Sequence, residues 1–180
     1  MSDDKDCCDD EQQVYAEGNT VFFFCDVDEF NVKRMCILLK KVSKTHDNIK
    51  LCINSGGGDM YAGFAGMDYI RTLVIQGIHI ETVAYGLCAS AATFLLLGGE
   101  KRFMGKNAYV LIHQMSDTIG GTFGELQSSM RNNKKFMKHF RSMYLENTNV
   151  PEDYLEKLLS KDIMLSSNKC IKYGVVHEII

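Results

Sequence analysis

Three short segments carry residue types that could do chemistry, each at the expected end of an apolar strand, where open α/β sheets place their sites. In Gly86-Leu87-Cys88-Ala89-Ser90-Ala91-Ala92 a serine stands among small residues at the mouth of an apolar run. A nucleophile would gain there from the positive end of a helix dipole and from room for a substrate. The segment follows the strand-to-helix logic of the G-x-S-x-G elbow without being that motif, because position 92 is alanine. Ser90 could equally be a plain helix N-cap. Cys88 is a competing nucleophile, although buried cysteines are usually inert. In Leu111-Ile112-His113-Gln114 a histidine closes an apolar strand, either as a general base beside a serine or as a satisfied core residue. In Asn54-Ser55-Gly56-Gly57-Gly58 three glycines precede a helix, so backbone N–H groups could turn outward to hold a phosphate or an oxyanion, or simply make a tight turn. This loop is neither G-x-G-x-x-G nor G-x-x-x-x-G-K-[ST], which leaves a nucleotide site poorly supported. A histidine serving a serine also needs a carboxylate to orient it. Asp162 is a candidate that composition alone could not select from 23 acidic residues. His46, His79, His139 and His177 have surface or structural contexts.

Positioning such groups needs a frame, and the hydropathy pattern supplies one. Residues 21–25 are a short apolar run of strand type, and Val32, Met35, Cys36, Leu38 and Leu39 recur at helical spacing. A second strand is expected over 49–53. Asp59 then caps a helix with the apolar face Phe64, Met67, Ile70 and Val74. A third strand over 78–85 should stop at Gly86, a buried helix should span 89–97, and a further strand 108–113. This alternation predicts parallel βαβ units. The last third differs. Thr122 and Glu125 have capping-box spacing, and residues 123–147 contain no breaker after Gly124. A helix that long would reach roughly 37 Å, too far to lie within one small α/β layer. Its stripe Leu126, Met130, Met137, Phe140 and Tyr144, widened by Phe136 and Met143, would meet either a partner subunit or the sheet. Short helices over 151–160 and 167–173 and a closing strand over 175–180 complete the reading. The expected organisation is a flexible acidic N-terminal tail, residues 1–13, and a single domain, 14–180.

Composition narrows the function classes. The chain has 180 residues, 46% hydrophobic, and a net charge of -3. That is enough apolar material for one core and too little positive charge for a generic nucleic-acid binder. No stretch of about 18 apolar residues suggests a membrane span, and the acidic start does not resemble a secretory signal. Seven scattered cysteines without a C-x-x-C pair make metal binding improbable and reduced thiols in a cytoplasmic setting the default.

Taken in order, the segments resemble the ClpP family of self-compartmentalising serine peptidases. Ile53 to Gly58 with Ala62-Gly63 is similar to the family's INSPGG…AG segment, Gly86 to Leu96 to its G-x-A-A-S-M-G-A-F-L-L, and Ile112-His113-Gln114 to its IHQ. Asp162 with Leu165-Ser166, then Cys170 and Tyr173-Gly174-Val175-Val176, is similar to its D-x-x-L-S…A-x-x-Y-G-L-V-D ending. The resemblance implies a ClpP/crotonase-like fold of stacked βαβ units with a protruding handle helix, the handle region being about 115–147. It implies a triad of Ser90, His113 and Asp162, oxyanion or substrate contacts from Gly57, Gly58, Ala91, Gly120 and Gly121, and no metal. It also implies a homo-oligomer of two stacked heptameric rings that admits peptides or unfolded proteins. No cofactor belongs to the peptidase itself, and ATP would be used only by an AAA+ unfoldase of the Clp type. Four departures stand out: Gly56 replaces the loop proline, Met115 replaces the proline after IHQ, Ala91-Ala92 replace Met-Gly, and Lys50 and Cys52 replace aromatic residues of the ATPase-docking pocket. Alternative readings are a catalytically silent ring subunit, a crotonase-type acyl-CoA enzyme, and a Ser-Lys dyad using Lys101 or Lys106.

Overall fold

The structure is a computed structural model that describes residues 13–180, so the expected acidic tail lies, but for Gln13, outside the described residues. An antiparallel hairpin, β1 (Val14–Glu17) and β2 (Thr20–Phe23), opens one edge of the sheet. Asp28 starts α1 (Glu29–Val42) by accepting the Asn31 N–H at 2.7 Å, and the helix buries Val32, Met35 and Leu39. Next come β3 (Asn48–Ser55) and α2 (Met60–Ile75), the latter capped by Asp59, whose carboxylate takes the Ala62 N–H at 2.7 Å. They are followed by β4 (His79–Ala89), the wholly buried α3 (Ala92–Gly98), β5 (Lys101–Met104) and β6 (Tyr109–Leu111). The C-terminal third holds α4 (Phe123–Asn147), α5 (Glu152–Ser160), β7 (Met164–Ser166), α6 (Ser167–Lys172) and β8 (Glu178–Ile179).

The sheet order is β1-β2-β3-β4-β5-β8, with β6 on β4 and β7 on β6. All pairings are parallel except β1–β2 and β6–β7. The expected βαβ frame is present, and the mixed α/β architecture agrees with the fold expected from sequence. One expectation is corrected. The third strand does not stop at Gly86 but bends there and runs on to Ala89. Gly86 takes a φ of +53°, which glycine adopts without strain, and Asn54 Oδ1 accepts the Leu87 N–H at 3.1 Å. The register moves from Ile53↔Ala84 to Ser55↔Cys88, so β4 is bulged and changes neighbour from β5 to β6. The following helix accordingly begins at Ala92 rather than Ala89.

The main core packs Phe23, Met35, Leu39, Ile53, Ile70, Ile80, Phe94 and Leu95, each fully buried. Sealing one such side chain from water contributes about 1.5–3 kcal/mol. Aromatic contacts tie the helices together: Phe64 of α2 stacks on Phe94 of α3 at 4.5 Å, Phe94 meets Phe140 of α4 edge-on at 5.2 Å, and Phe140 meets Tyr144 at 5.1 Å. The opposite sheet face carries a smaller cluster of Cys52, Val83 and Phe103 beside Phe22. Only the far end of α4 is buried, at Phe140, Met143 and Tyr144, while Phe123 and Met130 are 75% and 56% exposed. Its start is a capping box, with Glu125 accepting from both the N–H and the hydroxyl of Thr122. Among the described residues no helix is long and apolar enough to cross a membrane.

Candidate active site

Ser90 occupies the junction of β4 and α3. It is the only non-glycine among the described residues with positive φ, at +53°. Left-handed backbone is costly for an L-residue and persists where its surroundings hold it. Those surroundings are visible. The Ser90 N–H donates to Leu111 O at 2.9 Å, and its carbonyl accepts the Thr93 N–H at 3.0 Å and the Thr93 hydroxyl at 2.6 Å.

The glycine loop after β3 lies directly against this turn. Gly57 has a φ of +99°, and a Cβ built on it would stand 2.6 Å from Ser90 Cβ and 2.7 Å from Ala89 O, so only glycine allows the approach. The Gly57 N–H donates to Ser55 Oγ at 3.1 Å, and the Gly57 carbonyl accepts the Val27 N–H. The N–H groups of Gly58 and Ala91 donate to no group among the described residues, and both residues line the cleft beside Ser90. Two free backbone donors flanking a serine can stabilise negative charge on an oxygen held between them.

His113 follows β6 and Asp162 precedes β7. The antiparallel register Leu111↔Met164, continued two steps beyond each strand, sets residue 113 opposite residue 162. The two side chains face each other with Nδ1 and Oδ1 3.9 Å apart, an ion-pair separation too long for a hydrogen bond. His113 is 29% exposed and Asp162 81%. Gln114 is anchored through its N–H to Leu159 O at the end of α5. Ser90 and His113 line one cleft of about 360 Å³, and no hydrogen bond joins them among the described residues. Met60, Tyr61, Phe94, Phe136 and Phe140 form its apolar wall, with Tyr61 and Phe136 edge-to-face at 5.3 Å.

Other candidates fall elsewhere. Gly120 and Gly121 belong to an irregular segment, form no strand and do not line the cleft. Lys101 pairs with Glu178 at 3.4 Å, and Lys106 is held at the C-terminal end through its backbone, so no lysine lines the cleft. Burial pushes the Cys88 thiol far above its ordinary range, leaving it unreactive. Among the described residues no group of three or more His, Cys, Asp or Glu side chains could hold a metal. The sequence reading missed Tyr61 as a wall residue and Thr93 as the partner of the Ser90 carbonyl. Phe136 was visible as a broadening of the α4 stripe.

A family model described as Clp protease matches residues 3–180. The ATP-dependent Clp protease proteolytic subunit 1 of Streptomyces avermitilis is 31% identical over 158 residues, covering 86% of this chain and 71% of the relative. The ATP-dependent Clp protease proteolytic subunit 2 of Treponema denticola is 31% identical, with 82% and 73% covered. That of Corynebacterium diphtheriae, also a proteolytic subunit 2, is 29% identical, with 89% and 81% covered.

Proposed function

The chain belongs to the Clp protease family, and on that premise we propose that it is a serine endopeptidase cutting peptide bonds of unfolded proteins and peptides inside an oligomeric chamber. The observation that carries this reading is the left-handed Ser90 turn, held in one cleft with His113 and flanked by the free N–H groups of Gly58 and Ala91. In the first step His113 takes the Ser90 hydroxyl proton, and Oγ adds to the scissile carbonyl. The carbonyl oxygen becomes an oxyanion received by Gly58 and Ala91, each donor contributing about 3 kcal/mol. Collapse breaks the C–N bond, with the proton passing from His113 to the leaving amine. Water, deprotonated by the same imidazole, then releases the acyl group and restores Ser90. Asp162 holds the imidazole in the productive tautomer once the 3.9 Å separation closes to hydrogen-bond distance. The aromatic wall of Tyr61, Phe136 and Phe140 suits an apolar substrate side chain.

Membership of this family supports oligomeric assembly, which we read as two stacked heptameric homo-oligomeric rings fed by an AAA+ unfoldase of the Clp type. ATP would be consumed by that partner alone, and the peptidase itself needs no cofactor. The five free cysteines among the described residues suit a reducing compartment such as the cytoplasm. A second reading, a catalytically silent ring subunit, is favoured by one observation: the Ser90–His113 and His113–Asp162 hydrogen bonds are both unmade.

One experiment separates them. Fluorophosphonate labelling and fluorogenic-peptide hydrolysis would be compared for wild type, Ser90→Ala, His113→Ala and Asp162→Asn. An active peptidase loses labelling and turnover in Ser90→Ala and His113→Ala, with kcat falling about 10⁶-fold for Ser90→Ala and about 10⁴-fold for Asp162→Asn. A ring-sized, folded wild type that neither labels nor hydrolyses peptides establishes the silent subunit.

A further inference from the structure

Two buried hydroxyls connect the handle helix to the candidate nucleophile. Thr93 Oγ1 lies 2.6 Å from Ser90 O and 2.5 Å from the Tyr144 hydroxyl, and both side chains are fully buried. A carbonyl oxygen can only accept, so the single Thr93 proton is committed to Ser90. The Tyr144 hydroxyl is then the donor to Thr93, and the chain has one direction: Tyr144 O–H to Thr93 O–H to Ser90 C=O. A buried hydroxyl without a partner is destabilising, whereas a Val–Phe pair would fill similar volume with no such demand. Packing alone therefore does not account for two polar atoms at this point.

Their placement does. The Ser90 N–H is fixed by Leu111 on the strand that leads to His113, and the Ser90 carbonyl by Thr93. With both flanking peptide groups held, the +53° turn has little freedom, and the Ser90 side chain is aimed by the backbone. Tyr144 belongs to the one buried end of α4, whose opposite end is exposed. A shift or tilt of α4 is thereby transmitted to the Ser90 carbonyl through two hydrogen bonds.

We propose that Thr93 and Tyr144 are positioning residues for Ser90, forming a hydroxyl relay that sets the nucleophile's geometry from the base of α4; the inference rests on the peptidase reading above. The test uses the full chain as Thr93→Val, Tyr144→Phe, the double variant, and Thr93→Ser as the rescue. Each is measured for fluorophosphonate labelling rate, kcat and KM on a fluorogenic peptide, assembled mass by light scattering, and melting temperature.

With assembly retained, Tyr144→Phe and Thr93→Val should each lower kcat and labelling rate about ten- to a hundred-fold, as small misplacements of a reacting group do, while KM holds. Thr93→Ser should restore both rates, and the double variant should be no worse than the more severe single change. Wild-type rates in Tyr144→Phe and Thr93→Val, with only the melting temperature lowered, would reduce the pair to a packing element and overturn the proposal. Should Thr93→Val fail to fold, Tyr144→Phe and Thr93→Ser decide it by the same criterion. An assembled wild type that neither labels nor turns over overturns the peptidase reading and this inference together. An active wild type with unaffected variants overturns this inference alone.

Discussion

At the scale of single residues, the glycine loop separates space from conformation. Gly56 and Gly57 are neighbours in sequence, yet a Cβ on Gly56 meets nothing within 4 Å, while one on Gly57 would overlap Ser90 Cβ at 2.6 Å. Gly57 also sits at a φ of +99°, where an L side chain is strained whatever the space. Gly57→Ala should therefore push the Ser90 turn out of place, abolishing peptide hydrolysis and lowering the melting temperature. Gly56→Ala should leave kcat unchanged and raise stability by about 0.4–1 kcal/mol through the unfolded chain. Equal activity of the two variants would show that the Ser90 turn tolerates displacement. The same loop marks where sequence reading ended at this scale. Ser90 and His113 stood out in the sequence as candidates because one sits among small residues between an apolar strand and an apolar helix and the other closes an apolar run. Which glycine N–H is free was not legible, because Ser55 Oγ claims that of Gly57 only once the loop has its three-dimensional turn.

At the scale of elements, the bend in β4 decides where the site forms. Without it the strand would continue beside β5 and never reach β6, and Ser90 would lose the Leu111 carbonyl that fixes its N–H. Asn54 takes the place of a ladder acceptor for Leu87, so Asn54→Ala should remove about 0.5–1.5 kcal/mol of stability. It should also speed hydrogen exchange at the Leu87 amide far more than at Thr82, deep in the β4–β5 pairing. Uniform exchange at both amides would mean that the bend is held by other contacts. Element boundaries were legible in proportion to length and chemistry. α4 runs over the expected 123–147 because a capping box opens it and no breaker interrupts it. β1, β5 and β7 went unread because VYAE, KRFM and MLS mix polar residues into three or four positions and lie in no apolar run of the kind that marked the equally short β2 and β6. Missing β7 had a cost at the site. Its antiparallel register is what sets Asp162 across from His113, so from sequence Asp162 could be chosen only by resemblance.

At the scale of the whole molecule, one buried cation gathers the C-terminal half. The Arg102 guanidinium on β5 donates to Asn147 O at the end of α4 and to Gly174 O and Val175 O after α6, while its backbone N–H donates to His177 Nδ1 at 3.0 Å. That last bond needs an unprotonated Nδ1. Burial, and then the positive charges of Arg102 and Lys101, hold the His177 pKa below its ordinary 6.5. The folded protein thus binds fewer protons than the unfolded chain just below pH 6.5. Stability is complete above that pH, falls as pH drops toward the folded pKa, and levels off below it. His177→Asn, whose amide oxygen can take the Arg102 N–H, should flatten the melting temperature across this window. An unchanged slope would assign the pH dependence to other groups.

The anchored end of α4 contrasts with its free end, and this asymmetry carries the last prediction. Residues 123–139 include no buried side chain, yet Phe123, Leu126 and Met130 line one shallow groove there, with Phe123 and Met130 largely exposed. The family supports oligomeric assembly in general, and on the reading proposed above a second protomer would cover these exposed apolar side chains. Met130→Glu places a charge where that contact would be dry, which is costly unless the charge finds a partner, and symmetry repeats the cost in every copy. Far-ultraviolet circular dichroism should be unchanged, since Met130 contributes nothing to the core. Light scattering should report a smaller particle, and peptide hydrolysis should fall with it, because movement at α4 is felt at Ser90 through Tyr144 and Thr93. A variant that keeps the wild-type mass would exclude this face from the assembly contact. One that dissociates yet keeps its full turnover would show that the site needs nothing from the neighbouring protomer.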